Sequence, residues 1–123
     1  MPWNIKLNDE KKIVELAYFG VVSADDLNKA LAAALKLSKE NEIKLFLADC
    51  SQMIGGHSVT DLYYLATIYE ASGFTRDMKE ALLMPAMQST HEQVKFYETT
   101  CLNNGFNVRI FNEVGEAINW LTS

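Results

Sequence analysis

The apolar residues of this chain follow a period of two in some segments and a period of about 3.6 in others. Trp3, Ile5 and Leu7 alternate with polar residues, which predicts a strand with one face toward solvent. Polar residues 8–11 then turn the chain, and Ile13–Phe19 is predicted to complete a β-hairpin. Three further strands are predicted at residues 43–48, 81–86 and 106–111.

The two middle strands carry signals for where they end. Residues 43–48 are nearly all apolar, as in a strand buried on both faces, and this strand is predicted to end at Asp49. Pro85 predicts a strand end or a bulge near the close of residues 81–86, because proline has no N–H to donate to a ladder.

Helices are predicted between the strands, since each interval carries apolar residues at helical spacing behind a capping side chain. The four predicted N-caps are Ser23, Ser58, Ser89 and Asn112. The resulting order is an N-terminal β-hairpin start with a βαβαβαβα alternation. This order predicts an α/β fold with a mixed five-stranded sheet, parallel in its later strands and covered by helices mainly on one face.

The predicted strands place their side chains on two unequal faces. One face is almost wholly apolar: Trp3, Ile5, Leu7, Val14, Leu16, Ile43, Leu45, Leu47, Val108 and Ile110. The other mixes charged and apolar residues: Lys6, Glu15, Lys44, Glu80, Arg109, Ala17, Phe19, Phe46, Ala48, Leu82 and Met84. A half-apolar face needs a cover, which is part of a helix, a second subunit or an apolar ligand. We therefore predict a homodimer that uses Phe19, Phe46, Leu82 and Met84.

Composition places the chain among ordinary globular domains. Of its 123 residues, 49% are hydrophobic and 22% are charged, which excludes a disordered chain and predicts one domain over residues 1–123. Uncharged runs such as Cys50–Thr60 are much shorter than the roughly 20 residues of a membrane-spanning helix, so no membrane span is predicted. The net charge of −5 disfavours nucleic acid and anionic membrane surfaces as partners.

The first residues and the two cysteines favour a cytoplasmic protein. Residues 1–6 lack the apolar core of a secretory signal. Cys50 and Cys101 are too few for a disulfide framework, so both are predicted to be reduced. Neither CxxC, zinc-finger spacing nor HExxH occurs, and the sequence predicts no metal site and no cofactor.

Two segments carry a resemblance to a known family. Residues 105–121 read as a glycine, a strand, a phenylalanine and a capped helix that closes on Ala117 and Trp120-Leu121. Asp49-Cys50-Ser51 follows a central strand, and a loop leads from it to a helix start near Ser58. Together with the order of elements, these segments make the chain similar to the anti-sigma-factor-antagonist-like superfamily, also called STAS or SpoIIAA-like. Its relatives include CRAL-TRIO-type lipid-binding domains.

The resemblance implies a STAS-like fold and a regulatory role. The antagonists of that family carry an Asp-Ser-Ser-Gly run at the helix start. The corresponding residues here are His57, Ser58, Val59 and Thr60, which keep one serine, so Ser58 is the candidate regulatory phosphosite. A helix N-terminus favours the negative charge of a phosphate. The alternative is that Ser58 serves only as an N-cap.

A ligand crevice is the second candidate, because open α/β sheets bind ligands at the carboxyl ends of their strands. Its predicted residues follow two central strands: Asp49, Ser51, Gly55, Gly56, His57, Met84 and Met87. Alternatively, Asp49 accepts N–H bonds from its own loop, Ser51 makes a turn, and the glycines supply only flexibility. A hydrolase built on Ser58, His57 and Asp49 is kept as an alternative, although no G-x-S-x-G elbow occurs.

The sequence thus predicts a non-enzymatic regulatory or protein-interaction module, and the alternative is a carrier of a small apolar or lipid-like ligand. The interior of the protein separates the two hypotheses. An enclosed apolar cavity of several hundred Å3 would favour the carrier. A solid interior with a flat apolar surface would favour the interaction module.

Overall fold

The computed structural model describes residues 2–86 and 88–123, and for residues 69, 70, 88 and 89 it describes the backbone alone. Met87, one of the predicted crevice residues, lies outside the described residues. The elements of the described part are, in chain order, β1 Trp3–Asn8, β2 Ile13–Val21, α1 Ala24–Asn41, β3 Leu45–Gly55, α2 Val59–Thr67, α3 Tyr69–Ser72, β4 Lys79–Leu83, α4 Gln88–Asn103, β5 Asn107–Phe111 and α5 Val114–Leu121.

The five strands form one mixed sheet in the order β1-β2-β3-β4-β5. The hairpin strands β1 and β2 pair antiparallel, and every later pair is parallel. A parallel pair needs a long crossover, and helices supply it after β2, β3 and β4. The predicted α/β fold class with a five-stranded mixed sheet is confirmed.

The helices divide unequally between the two faces of the sheet. Helices α1, α2 and α4 cover one face, which we call the helical face, and enclose the main core. Among the described helices, α5 alone packs on the other side, the α5 face, where Ala117 and Leu121 contact Ile13, Leu47 and Ala81. The prediction that helices lie mainly on one face is confirmed.

The assignment of β3 and β4 residues to the two faces from sequence is wrong by one position. Val14 on β2 stands beside Phe46 on β3, and Ala48 stands beside Leu82 on β4. Phe46, Ala48 and Leu82 therefore point into the main core, whereas Leu47 faces α5. Both alternate sets of side chains in these strands are apolar, so the sequence pattern does not reveal which set faces the larger core.

Strand β3 is longer than predicted and continues beyond Asp49 to Gly55. A register shift between Ala17 and Phe19 of β2 admits one extra residue in β3. Cys50 and Met53, three positions apart, consequently both enter the main core. Ser51 lies inside this strand, so the predicted turn at Ser51 is wrong.

Two of the four predicted helix caps are confirmed. Ser23 and Ser58 each accept a hydrogen bond from the backbone N–H three residues later, and the aspartate there accepts one from the serine N–H. Helix α4 begins at Gln88, one residue before the predicted Ser89 cap. The N-cap of α5 is Glu113 rather than Asn112, and its side chain makes no capping bond. Strand β4 ends two residues before Pro85, as the proline predicts.

Candidate functional site

The loop from β3 to α2 is held by a close contact with the end of β2. Gly56 has a φ of +101°, and a Cβ there would lie 2.6 Å from Val21 Cγ1 and 2.7 Å from Val22 N. The Val22 N–H also donates to the Gly55 carbonyl at 2.7 Å. Gly56 therefore has to be glycine, because a side chain there would prevent the close approach of the loop to the end of β2.

The side chain of His57 makes a further hydrogen bond between this loop and the end of β2. Its Nδ1 lies 2.8 Å from the Val22 carbonyl, which can only accept, so Nδ1 carries the proton. From the other side, Gln93 of α4 donates to the His57 carbonyl at 3.3 Å. Thr90 of α4 donates to the Ile54 carbonyl at 3.2 Å. The candidate loop is thus fixed between β2 and α4.

Ser58 is exposed at the first turn of α2, within a capping box that it forms with Asp61. Its Oγ accepts from the Asp61 N–H at 3.1 Å, and its own N–H donates to Asp61 Oδ2 at 2.8 Å. A phosphate on Ser58 would have to displace the first bond and would stand beside the Asp61 carboxylate. The candidate phosphosite is therefore accessible and is also an N-cap.

Asp49 and Ser51 bond to each other on the α5 face. Asp49 Oδ1 accepts from the Ser51 N–H at 2.9 Å and from the Ser51 hydroxyl at 2.6 Å. Asp49 also lines a groove of about 300 Å3 between β1, β2 and the start of α5. The local bonding considered as the alternative for Asp49 is what the structure shows, within a strand rather than a loop.

The residues of the hydrolase alternative do not hydrogen-bond to one another. Asp49 bonds to Ser51, His57 bonds to the Val22 carbonyl, and Ser58 bonds to Asp61. A nucleophile and its base must lie within about 3 Å of each other. The described geometry therefore holds no Ser-His-Asp relay.

The four predicted dimer residues do not form one surface. Phe46 and Leu82 are buried beneath the helices, with 5% and 3% of their surfaces exposed. Met84, also a crevice candidate, is half-buried against the same core. Phe19 alone is exposed, on the α5 face. The surface predicted for the homodimer is wrong, because it depends on the incorrect face assignment of β3 and β4.

A different apolar surface lies on the α5 face, and we call it the β2–β3 patch. Its members are the exposed side chains of Phe19, Val21, Ile54 and Val114, at 40%, 67%, 51% and 52% exposure. Phe19 pairs with Gln52 and Val21 with Gly55, across a second register shift that leaves Ile54 as an extra residue of β3. Met53 and Val22, the neighbours of Ile54 and Val21, are buried in the main core, so strand alternation turns Ile54 and Val21 to the opposite side. Phe19 and Val114 line the same groove. The sequence signal for this patch was the apolar pair of Phe19 and Val21 at a strand end.

Sequence reasoning missed a buried carboxyl group in the main core. Glu80 on β4 is buried, and the Tyr97 hydroxyl donates to its Oε1 at 3.3 Å. Burial raises the Glu80 pKa to about 8, because it penalises the ionised form. Burial also raises the pKa of the Cys50 and Cys101 thiols, and both cysteines are free, as predicted. The incorrect face assignment places Glu80 on the mixed, half-apolar face instead of in the main core.

The main core has little empty space around this carboxyl group. Two voids of about 40 Å3 and about 20 Å3 touch Glu80, Tyr18 and Tyr97. A void of this size holds about one water molecule. Ligand pockets usually measure about 300–1,000 Å3. The interior around Glu80 is therefore close to solid.

A cleft of about 870 Å3 opens on the surface between α1 and the segment from α3 to β4. Leu31, Leu35, Ile43, Ile68 and Met78 contribute its apolar lining. Lys36, Lys39, Glu42 and Lys44 are the charged residues at its border, and Lys44 also contacts the Asp77 carboxylate. The cleft combines apolar walls with a positive rim.

Comparisons with known proteins give no family assignment. No protein-family model matches the chain, and no curated protein matches it. Among residues 2–86 and 88–123, no helix combines the length and the apolar character needed to cross a membrane. The same residues contain no group of three or more His, Cys, Asp or Glu side chains arranged to hold a metal ion.

Proposed function

We propose that the protein is a cytoplasmic, non-enzymatic regulatory or protein-interaction module of the STAS-like type, and that it binds a protein partner through the β2–β3 patch. The observation that carries this proposal is the patch itself. Phe19, Val21, Ile54 and Val114 keep large apolar surfaces exposed on the side of the sheet that α5 leaves open. Exposed apolar side chains grouped on one face of a domain are typical of protein-binding surfaces.

The energetics of such a patch are sufficient for a modest interaction. Burying one large aliphatic or aromatic side chain contributes about 1.5–3 kcal/mol, and less where the side chain is already partly covered. Three charged residues, Lys6, Glu15 and Asp49, line the same groove as Phe19 and Val114. An apolar centre with a polar border is the usual composition of a protein interface.

The near-solid main core supports the interaction module over an internal carrier. Voids of about 40 Å3 and about 20 Å3 leave no space around Glu80 for an apolar ligand. The resemblance in the Asp49–Ser58 region supports the regulatory part of the proposal, since Ser58 is exposed and stands at the start of α2.

Two lysine substitutions at equally exposed isoleucine and leucine residues test this proposal. Ile54→Lys changes the patch, and Leu102→Lys changes the far end of α4, at 51% and 52% exposure respectively. Tagged wild type, Ile54→Lys and Leu102→Lys are used to capture proteins from a lysate of the source organism, with quantitative mass spectrometry as the readout. We expect wild type and Leu102→Lys to recover the same partner and Ile54→Lys to lose it. Equal recovery by all three proteins would contradict the proposal.

The surface cleft favours a second candidate function, the binding of an amphipathic anion. Its volume of about 870 Å3 matches that of ligand pockets, and Lys36 and Lys39 stand at its border. The test is displacement of a fluorescent fatty acid from wild type, Lys36→Glu/Lys39→Glu and the control Lys11→Glu. Lys11 is exposed in the β1–β2 turn, outside the cleft. Carrier function predicts saturable binding that only the double variant loses, and no binding by wild type would exclude it.

A further inference from the structure

The two edge strands of the sheet differ in whether their outward backbone groups have hydrogen-bond partners. At the β5 edge, Glu98 of α4 accepts a hydrogen bond from the Ile110 N–H at 2.8 Å, so a side chain occupies the outward backbone donor. At the β1 edge, no described residue forms a comparable bond. An unoccupied edge presents N–H and C=O groups to which another strand can pair.

The hydrogen-bond pattern identifies which β1 groups point outward. The Phe19 N–H donates to the Pro2 carbonyl at 2.7 Å, so Pro2 and Phe19 are a hydrogen-bonded pair. The register continues without interruption from Trp3↔Tyr18 to Asn8↔Ile13. Because hydrogen-bonded and non-hydrogen-bonded pairs alternate in an antiparallel ladder, even-numbered residues bond to β2. The backbone groups of Trp3, Ile5 and Leu7 therefore point away from the sheet.

We propose that β1 pairs antiparallel with β1 of a second copy of this chain, about a twofold axis at Ile5, to form one ten-stranded sheet. In this register Ile5 faces Ile5 of the second copy, and Trp3 faces Leu7. Every outward N–H and C=O group of the three residues then has a partner. This dimer is independent of the protein-binding role proposed for the β2–β3 patch.

Charge selects this register over its neighbours. Asn4 and Lys6 are exposed on the α5 face, and the Lys6 side chain is 74% exposed. With the axis at Ile5, Lys6 faces an asparagine. A shift that centres the axis on Lys6 would set two lysines directly opposite, which is destabilising. A shift that centres it on Asn4 would leave Leu7 without a partner residue from the strand.

The apolar side chains also complement one another in this arrangement. Ile5 and Leu7 are half-buried against the main core, and Trp3 is buried there. Pairing places the exposed remainder of Ile5 and Leu7 against the same kinds of side chain in the second copy. A second copy thus pairs the apolar positions of the edge with one another and sets Lys6 against a neutral asparagine, which favours it over an extended segment of another protein.

Charge variants at Asn4 test the dimer by sedimentation velocity over a range of protein concentrations. Asn4→Lys sets lysine against the partner's Lys6 and is expected to weaken dimerisation about tenfold. Asn4→Glu sets a carboxylate against the same lysine and is expected to tighten it severalfold, with an effect that salt reduces. The control Asn119→Lys adds the same charge on exposed α5 and is expected to behave as wild type. Dimerisation that is equal in all four proteins, or a wild type that stays monomeric up to roughly 500 μM, would overturn the proposal.

Cysteine pairing tests the register directly. Asn4 and the partner's Lys6 form a non-hydrogen-bonded pair, in which the Cα atoms lie about 4.5 Å apart and a disulfide fits. We expect a mixture of Asn4→Cys and Lys6→Cys to form a disulfide-linked dimer on mild oxidation, and neither variant alone to do so. Cys50 and Cys101 are buried and do not compete. Equal crosslinking of either variant alone, or none in the mixture, would overturn the twofold axis at Ile5.

Discussion

The two faces of the sheet carry similar apolar side chains but are covered by helices to different extents. On the helical face, α1, α2 and α4 cover the strands, and the voids that Glu80 lines measure about 40 Å3 and about 20 Å3. On the α5 face, one eight-residue helix covers part of β3, β4 and β5. A groove of about 300 Å3 and the β2–β3 patch remain open there.

This difference separates stability from recognition. Close packing on the helical face provides most of the apolar burial, which is the dominant favourable contribution to folding. The open strip of the α5 face adds little to stability, so its residues are free to serve binding. Substitutions on the helical face should therefore lower mainly the stability of the fold. Substitutions on the open part of the α5 face should affect mainly binding.

The largest expected difference is between two phenylalanines. Phe74 is 1% exposed, and its ring lies 5.5 Å from that of Phe46 and 5.6 Å from that of Phe106. Phe74→Ala should lower the free energy of unfolding by about 3–5 kcal/mol, because it leaves a cavity in the main core. Phe19→Ala, at 40% exposure on the α5 face, should change it by less than about 1 kcal/mol. Urea denaturation measures both, and equal losses would contradict the contrast between the faces.

The next largest effect is on the pH dependence of stability, through Glu80 on the helical face. The Glu80 pKa is raised from 4.5 to about 8, so the folded state holds a proton that the unfolded state has released between these values. The contribution of Glu80 to stability should accordingly be fully present below about pH 4.5 and be lost as the pH rises toward 8. Glu80→Gln cannot ionise and should exceed wild type by roughly 2–4 kcal/mol at about pH 9. The two proteins should be similar at about pH 4, where both side chains are neutral, and parallel stability curves would contradict the assignment.

Glu80 also shows where prediction of the fold from sequence stops. The period of the apolar residues identifies all five strands and their order along the chain, and Ser23 and Ser58 identify two helix starts. In β3 and β4, however, both alternate sets of residues are mostly apolar. The polarity of Glu80 then favours the mixed face that also carries Lys6 and Glu15, because buried carboxylates are rare. The true face follows from the pairing register, which depends on contacts between distant segments.

The candidate site was predictable to a similar degree. The exposed Ser58 cap is visible as Ser58 followed by Asp61, since both ends of a capping box lie within four residues. The Gly56 contact with Val21 and Val22 joins segments more than thirty residues apart and leaves no local signal beyond the glycines. The β2–β3 patch depends on the extension of β3 past Asp49, which the apolar pattern does not show.

A smaller difference in stability is expected between substitutions at two adjacent glycines, which connect the β2–β3 patch to α2. Gly55 and Gly56 both have positive φ, +132° and +101°. A Cβ at Gly55 meets nothing within 4 Å, whereas a Cβ at Gly56 meets Val21 and Val22 at less than 3 Å. Gly56→Ala should lower the free energy of unfolding by about 2–3 kcal/mol and Gly55→Ala by about 1–2 kcal/mol. Thermal denaturation ranks the two variants. A larger loss of stability for Gly55→Ala would show that the close approach to Val21 and Val22 does not limit the residue at position 56.

The smallest effect compares the two capping serines of the helical face. Ser23 with Asp26 and Ser58 with Asp61 form the same capping box at the starts of α1 and α2. Ser23→Ala and Ser58→Ala should each lower the free energy of unfolding by about 0.5–2 kcal/mol, because each leaves an N–H of the first turn without its acceptor. Aspartate is an equally good cap, so Ser58→Asp should cost little. If Ser58 is also the regulated position, Ser58→Asp should lose the captured partner while Ser23→Asp keeps it. Equal recovery by both aspartate variants would leave Ser58 with the capping role alone.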